Sequence, residues 1–135
     1  MTTGLRALGV AVAMLVAASP SVSVPPAGSL KGLEPGEWEL REQEGEGQAM
    51  PPRRLCLADL HQLIQIRHPR HSCRRLTVDE TLSRLAVSYD CAGAGGGRTD
   101  LRIETSRLVQ IRSQGVADGA PFAFVLEGRR IGPCH

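Results

Sequence analysis

Four cysteines constrain this chain more than any other feature of its sequence. Cys56, Cys73, Cys91 and Cys134 fall within 135 residues, and four cysteines allow three disulfide pairings. The stretch CRRLTVDETLSRLAVSYDC, from Cys73 to Cys91, has the pattern of a β-hairpin with one thiol at each end. Residues equidistant from a hairpin turn face each other. This register favours a Cys73–Cys91 bond and leaves Cys56 to pair with Cys134, although the sequence keeps the two other pairings open.

The hairpin register agrees with the charges but conflicts with the apolar pattern. It places Arg74 opposite Asp90, two residues of opposite charge. It also pairs Leu76 with Ser88, although Leu76 and Val78 are expected to form the apolar face of their strand. A shift by one residue would move every side chain to the other face. We therefore predict a β-bulge between Cys73 and Leu76, because one extra residue satisfies both demands.

The N-terminal stretch has the three parts of a secretory signal. Arg6 supplies a positive start, residues 7–18 are apolar, and small side chains precede a cleavage site after residue 23, with cleavage after Ala27 as the alternative. The apolar run is too short to span a bilayer core of about 30 Å. We expect residues 1–23 to be removed, residues 24–32 to be an irregular lead-in and residues 33–135 to form a single domain. No transmembrane segment is expected in the mature chain.

The rest of the chain predicts short strands and one helix. Alternation in EWELRE puts Trp38 and Leu40 on one face. LADLHQLIQIRH (57–68) changes to a helical stripe that ends at Pro69. Five further strand patterns are present, and AGAGGG (92–97) is typical of a flexible loop. The predicted fold is mainly β: a curved antiparallel sheet or partly closed β-barrel, with one short helix covering one end and two disulfides.

Charge limits the classes of partner. The formal net charge is +2 and falls to +1 once Arg6 leaves with the signal, which argues against a nucleic-acid partner. One local stretch is basic, and its arginines are a candidate anion-binding surface for a phosphate-bearing lipid headgroup. These arginines are Arg67, Arg70, Arg74 and Arg75.

The motifs of common catalytic and metal sites are not matched. The sequence contains four potential zinc ligands, His61, His68, His71 and Cys73. These residues lie on both sides of Pro69, and Cys73 is expected to form a disulfide instead. The sequence has no C-x-x-C pair, and its glycine run is not followed by the helix that a dinucleotide fingerprint requires. We expect no catalytic residue, no metal and no cofactor, and hence a protein that is not an enzyme.

Several of these segments together resemble the DUF3617 family, a bacterial secreted domain of unknown function. The resemblance rests on LEPGEWEL, on RLCL before a short helix, on the cysteines that bracket a hairpin, and on LEGRRIGPC at the C-terminus. It covers about residues 30–134. AMPPRRLCL is more proline-rich and basic than the corresponding family strand. The resemblance implies a periplasmic setting in a Gram-negative bacterium and brings no known activity or site residue.

Two functions are expected from these observations. The first is a non-enzymatic periplasmic domain that binds a small hydrophobic or lipid-like ligand, since strands can surround a cavity in small barrels. The alternative is an envelope structural or stress protein that docks on anionic lipid or on a protein partner through the basic stretch 67–75.

Overall fold

The computed structural model describes residues 29–43 and 51–135, which form one open antiparallel sheet of seven strands. The strands are β1 (Gly36–Glu42), β2 (Arg53–Leu57), β3 (Arg74–Glu80), β4 (Arg84–Asp90), β5 (Gly95–Thr105), β6 (Leu108–Ala117) and β7 (Ala120–Gly132). Three short 3₁₀ helices, Ser29–Gly32, Leu60–Leu63 and Ala92–Ala94, are the only helices in these ranges. The predicted mainly-β antiparallel fold with two disulfides is confirmed, and the sheet is not closed.

The strand order dictates the path of one long connection. Strands β3 to β7 form a meander, and the β1–β2 hairpin is added beside β7, giving the order β2-β1-β7-β6-β5-β4-β3. Strands β2 and β3 are consecutive in the chain yet form the two opposite edges. The chain between them, which we call the crossing segment (residues 58–73), therefore has to traverse the whole sheet.

One face of the sheet, which we call the inner face, carries the hydrophobic core. Side chains that face each other across neighbouring strands share a face, and the registers Leu85↔Leu101, Leu101↔Ile111 and Ile111↔Leu126 define one inner row. The buried inner-face residues of the seven strands are mostly aliphatic. They include Trp38, Leu40, Leu57, Leu85, Val87, Tyr89, Leu101, Val109, Ile111 and Leu126.

The crossing segment covers this face, and only its first turn is helical. Asp59 caps a 3₁₀ helix at Leu60–Leu63 by accepting a hydrogen bond from the backbone N–H of His61. Residues 63–66 are all buried, and a helix lying on a sheet cannot bury four consecutive residues. Gln65 replaces helical hydrogen bonds, because its side-chain amide donates to the carbonyls of His68 and His71. The predicted longer helix at one end of the sheet is therefore replaced by one short 3₁₀ helix and a series of tight turns that cross the inner face.

The β3–β4 hairpin keeps the register that the cysteines favour, but its bulge is elsewhere. Arg74 faces Asp90, with Nη2 and Oδ2 3.4 Å apart. The register shift lies at Val78, between Thr77 and Asp79. The prediction of a bulge between Cys73 and Leu76 is therefore wrong. The predicted apolar face is also wrong, because Leu76 and Val78 are 68% and 49% exposed.

The segment AGAGGG (92–97), predicted as a flexible loop, is divided equally between a 3₁₀ helix and a strand. Gly95 to Gly97 begin β5, after the 3₁₀ helix Ala92–Ala94. Gly97 lies opposite Tyr89 and Gly115. A Cβ atom at Gly97 would lie 3.1 Å from the Tyr89 hydroxyl oxygen and 2.5 Å from the carbonyl oxygen of Gln114. Glycine is therefore required here by close approach, with the Tyr89 ring packed over the bare backbone.

The two disulfides join Cys56 to Cys134 and Cys73 to Cys91, the pairing favoured from the sequence. The first ties edge strand β2 to the C-terminal tail, and the second closes the open end of the β3–β4 hairpin. The predicted signal at residues 1–23 lies outside the described residues. Part of the predicted irregular lead-in, Ser29–Gly32, forms a 3₁₀ helix whose Leu30 packs against the core.

We expect the two disulfides to differ in their contribution to stability. Their sequence separations are 78 and 18 residues, which correspond in the chain-entropy treatment to about 4.5 and about 3 kcal/mol. Removing the longer-range bond with Cys56→Ser and Cys134→Ser should lower the free energy of unfolding more than Cys73→Ser with Cys91→Ser. Urea denaturation of the two double variants tests this order, and the reverse order would contradict it.

Trp38 should be a core anchor. Its side chain is fully buried, and its indole N–H donates to the carbonyl of Glu34 at 3.0 Å. Trp38→Ala leaves a large cavity and should lower the free energy of unfolding by about 3–5 kcal/mol. Trp38→Phe, which keeps most of the volume, should cost less. An unchanged melting temperature in Trp38→Ala would contradict the core role.

Candidate functional site

The four arginines predicted as an anion-binding surface do not form one surface. Arg74 and Arg75 are neighbours on β3, so their side chains point to opposite faces of the sheet. Arg74 pairs with Asp90, whereas Arg75 donates to the Gln65 side-chain oxygen at 2.9 and 3.2 Å. Arg67 lies over the Phe122 ring, 5.6 Å from its centroid. The side chain of Arg70, the fourth, is exposed and has no polar partner within the described ranges.

The histidines considered as zinc ligands are likewise separated in role. His61 is exposed and contacts the Asp59 carboxylate through Nδ1 at 2.7 Å. His68 is buried, His71 is exposed, and Cys73 is oxidised in a disulfide. Across residues 29–43 and 51–135, no group of three or more histidine, cysteine, aspartate or glutamate side chains is arranged to hold a metal ion.

His68 is the centre of a buried polar cluster between the crossing segment and the sheet. Its Nε2 lies 2.9 Å from the carbonyl oxygen of Ala94, and its Nδ1 lies 3.3 Å from the Tyr89 hydroxyl. A carbonyl only accepts hydrogen bonds, so Nε2 carries the proton. In the neutral ring Nδ1 then accepts the Tyr89 O–H. Both nitrogens of this imidazole are therefore engaged.

Thr99 and Ser113 extend the cluster along the inner face. The Thr99 hydroxyl donates to the carbonyl of Ile64, in the crossing segment. Since that bond uses its only proton, the Ser113 hydroxyl donates to Thr99 Oγ1 at 2.7 Å. No buried side-chain nitrogen or oxygen of the described ranges lacks a hydrogen-bond partner. The cluster thus fixes the backbone of the crossing segment to the sheet at defined points.

The chemistry of this cluster is that of a structural anchor. Burial raises the pKa of Tyr89 and outweighs the nearby charge of Arg67, which lowers it. The phenol therefore stays protonated at neutral pH and acts as a hydrogen-bond donor. A general base at pH 7 needs an accessible basic atom, and His68 Nδ1 is occupied by this donor.

Beside the cluster, a small pocket opens between the crossing segment and strands β1, β2 and β7. Its volume is about 30 Å³, compared with roughly 10–15 Å³ for one water molecule. The floor is apolar and is formed by Leu40, Ile66, Phe124 and Leu126, with Pro51 at the side. The pocket therefore accommodates the end of an alkyl chain, and the rest of a longer ligand would extend outside it.

Charged side chains surround the mouth of this pocket. Arg53 on β2 and Arg67 on the crossing segment supply two guanidinium groups, and Glu42 supplies one carboxylate. Both arginines are exposed, so they can reach a charged group at the mouth. The Phe122 and Phe124 rings stack 5.8 Å apart, with Arg67 over Phe122. This arrangement suits an amphipathic anion, whose apolar end enters while its charged group meets the arginines.

The sequence identified only one member of this pocket, Arg67. Leu40 is predicted on the buried face of β1, which the structure confirms. What sequence periodicity could not show is that the crossing segment brings Ile66 against that face.

No protein-family model, no curated protein and no solved structure matches this chain. None of the helical segments within residues 29–43 and 51–135 has the length and hydrophobicity that a membrane-spanning helix requires.

Thr99→Val should test the anchoring role of the polar cluster. The change keeps the shape but leaves the Ile64 carbonyl without its donor, so the free energy of unfolding should fall by about 1–3 kcal/mol. Thr81→Val is the matched control, because Thr81 is exposed between β3 and β4 and should change stability by less than about 0.5 kcal/mol. Equal effects in urea denaturation would contradict the assignment.

Proposed function

We propose that this protein is a non-enzymatic binding domain for a small amphipathic anion, such as a lipid-like molecule with an acidic group. The observation that carries the proposal is the apolar pocket with Arg53 and Arg67 at its mouth. The apolar end of the ligand occupies the pocket floor at Leu40, Phe124 and Leu126. The acidic group remains at the surface between the two guanidinium groups.

The size of the pocket defines the mode of binding. About 30 Å³ encloses a few carbon atoms and does not surround a whole acyl chain. Most of the ligand would therefore lie along the surface, beside the partly buried rings of Phe122 and Phe124. This supports reversible binding of modest affinity, because affinity for small ligands scales with the number of atoms in contact.

Binding without chemical conversion is supported by the state of the nearby polar groups. His68 and Tyr89 hydrogen-bond to each other, and both are buried under the crossing segment. The groups at the pocket mouth are guanidinium groups, which stay protonated and act as hydrogen-bond donors and electrostatic partners.

We further propose that the domain acts in the periplasm after removal of residues 1–23. The two disulfides support an oxidising compartment. Membership of the DUF3617 family stays a prediction that rests on the sequence resemblance.

The alternative, docking on anionic lipid or on a protein through residues 67–75, has weaker support. Its four arginines are split between different surfaces, and two of them are already engaged, with Asp90 and with Gln65. Arg67 lines the pocket, so Arg70 is the one arginine of the four that remains for docking on a lipid or protein surface.

Calorimetric titration with decanoate and with decanol tests the proposed function. The two compounds share an alkyl chain and differ in charge. We expect decanoate to bind more tightly than decanol, and Arg53→Gln or Arg67→Gln to weaken decanoate by about fivefold while leaving decanol unchanged.

Arg70→Gln is the matched control, because Arg70 is an exposed arginine of the crossing segment that does not line the pocket. It should leave both affinities unchanged. Failure of the unaltered protein to bind either compound would overturn the proposal, and an equal loss in Arg70→Gln would move the site to the basic stretch.

A further inference from the structure

Strand β3 is an exposed sheet edge with two uncovered apolar side chains. All seven residues of β3 are exposed, and the strand pairs only with β4. Leu76 and Val78 are 68% and 49% exposed, although leucine and valine are usually buried. An exposed edge with apolar side chains is a template for pairing with another strand.

The backbone of β3 offers hydrogen-bonding groups to such a partner. The Thr81 N–H donates to the Arg84 carbonyl at 2.8 Å, and bonded pairs alternate with non-bonded pairs along an antiparallel ladder. Asp79, Leu76 and Arg74 therefore direct their backbone groups towards β4. Arg75 and Thr77 direct theirs away from the sheet.

The sequence of β3 is complementary to itself when read in the opposite direction. RRLTVDE begins with two positive residues, ends with two negative residues and has Thr77 at its centre. Two antiparallel copies of this strand would bring each basic end against an acidic end. Opposite charges and paired threonines both favour cross-strand association.

The bulge at Val78 is compatible with this pairing. Arg75 lies opposite Tyr89 and Glu80 lies opposite Leu85, so both are on the inner face because one extra residue separates them. In a pairing centred on Thr77, Arg75 of one copy then faces Glu80 of the other on the same face. The bulged residues Val78 and Asp79 face Leu76 of the second copy.

We propose that two copies of this chain associate through β3, antiparallel, about a two-fold axis at Thr77. The pairing would continue one sheet into the other and would bring Leu76 and Val78 of both copies together. Arg75 donates to Gln65 through Nε and Nη2 and has five N–H donors in all, so donors remain for the carboxylate of the second copy.

The opposite edge does not offer the same surface. Strand β2 follows Pro51 and Pro52, begins with Arg53 and Arg54 and carries no acidic residue. Two antiparallel copies of β2 would place their arginines opposite leucine and cysteine, so this edge gains no cross-strand ion pair of the kind that favours association. Association is therefore expected to end at the dimer and not to continue into fibres. A single strand edge gives a small interface, so the dimer should dissociate on dilution.

Sedimentation velocity over a range of concentrations tests the dimer, with two charge variants as the main probe. Arg75→Glu places glutamate opposite glutamate in a dimer, and Glu80→Arg places arginine opposite arginine. Each variant alone should dimerise about tenfold more weakly than the unaltered protein. An equimolar mixture of the two should form a heterodimer, because both charge pairs then become complementary. This recovery also excludes misfolding as the cause of the loss.

Val78→Ser is a second probe of the interface, and Val116→Ser is its matched control, since the two valines are 49% and 44% exposed. Only Val78→Ser should weaken the dimer. A protein that remains monomeric at the highest soluble concentration would overturn the proposal. A dimer unaffected by the charge variants would also overturn it, because another surface would then be responsible.

Discussion

The packing of the crossing segment (residues 58–73) on the inner face is the constraint on which the core and the candidate pocket depend. Because β2 and β3 are opposite edges of the sheet, the chain between them must cross it, and the crossing supplies Leu63, Ile64 and Ile66 to the core. The sheet is poor in aromatic residues, which make up 3% of the chain. The second apolar layer comes mainly from this segment, with Leu30 and Leu33 of the N-terminal stretch added to it. The candidate pocket is the space left where that layer meets β7.

Hydrophobic contacts hold the crossing segment against the inner face, and hydrogen bonds fix its position there. Apolar burial is not directional, so Leu63 and Ile66 alone would permit several positions on an aliphatic face. Thr99 and Ala94 each bond to one defined atom of the crossing segment. Leaving a buried carbonyl without a hydrogen bond lowers the free energy of unfolding by more than one hydrogen bond raises it. A crossing segment that was shifted along the sheet would therefore be less stable. The Arg67 contact with Phe122 follows from this placement.

Local patterns predicted the sheet, the pairing of the cysteines and the buried face of β1, because alternation and hairpin symmetry are properties of neighbouring residues. They failed where a distant contact overrides local preference. Residues 57–68 carry a helical stripe, yet the helix stops at Leu63 and tight turns follow, because the Gln65 side chain and the buried polar groups of the sheet supply hydrogen bonds that a longer helix would have made internally. Leu76 is an apolar residue on an exposed face, because the register set by Cys73–Cys91 outweighs its burial. The pocket depends on contacts between residues more than fifty positions apart, such as Ile66 and Phe124, and no local pattern encodes these.

The positions of the four half-cystines have a consequence for how the interior can be reached. Cys56 precedes the crossing segment and Cys73 ends it, and each is covalently joined to a different part of the molecule. The segment is thus clamped at both ends like a strap, and it cannot lift off as a hinged flap from either side. A ligand of the proposed pocket would therefore exchange through the pocket mouth, without a large opening of the backbone.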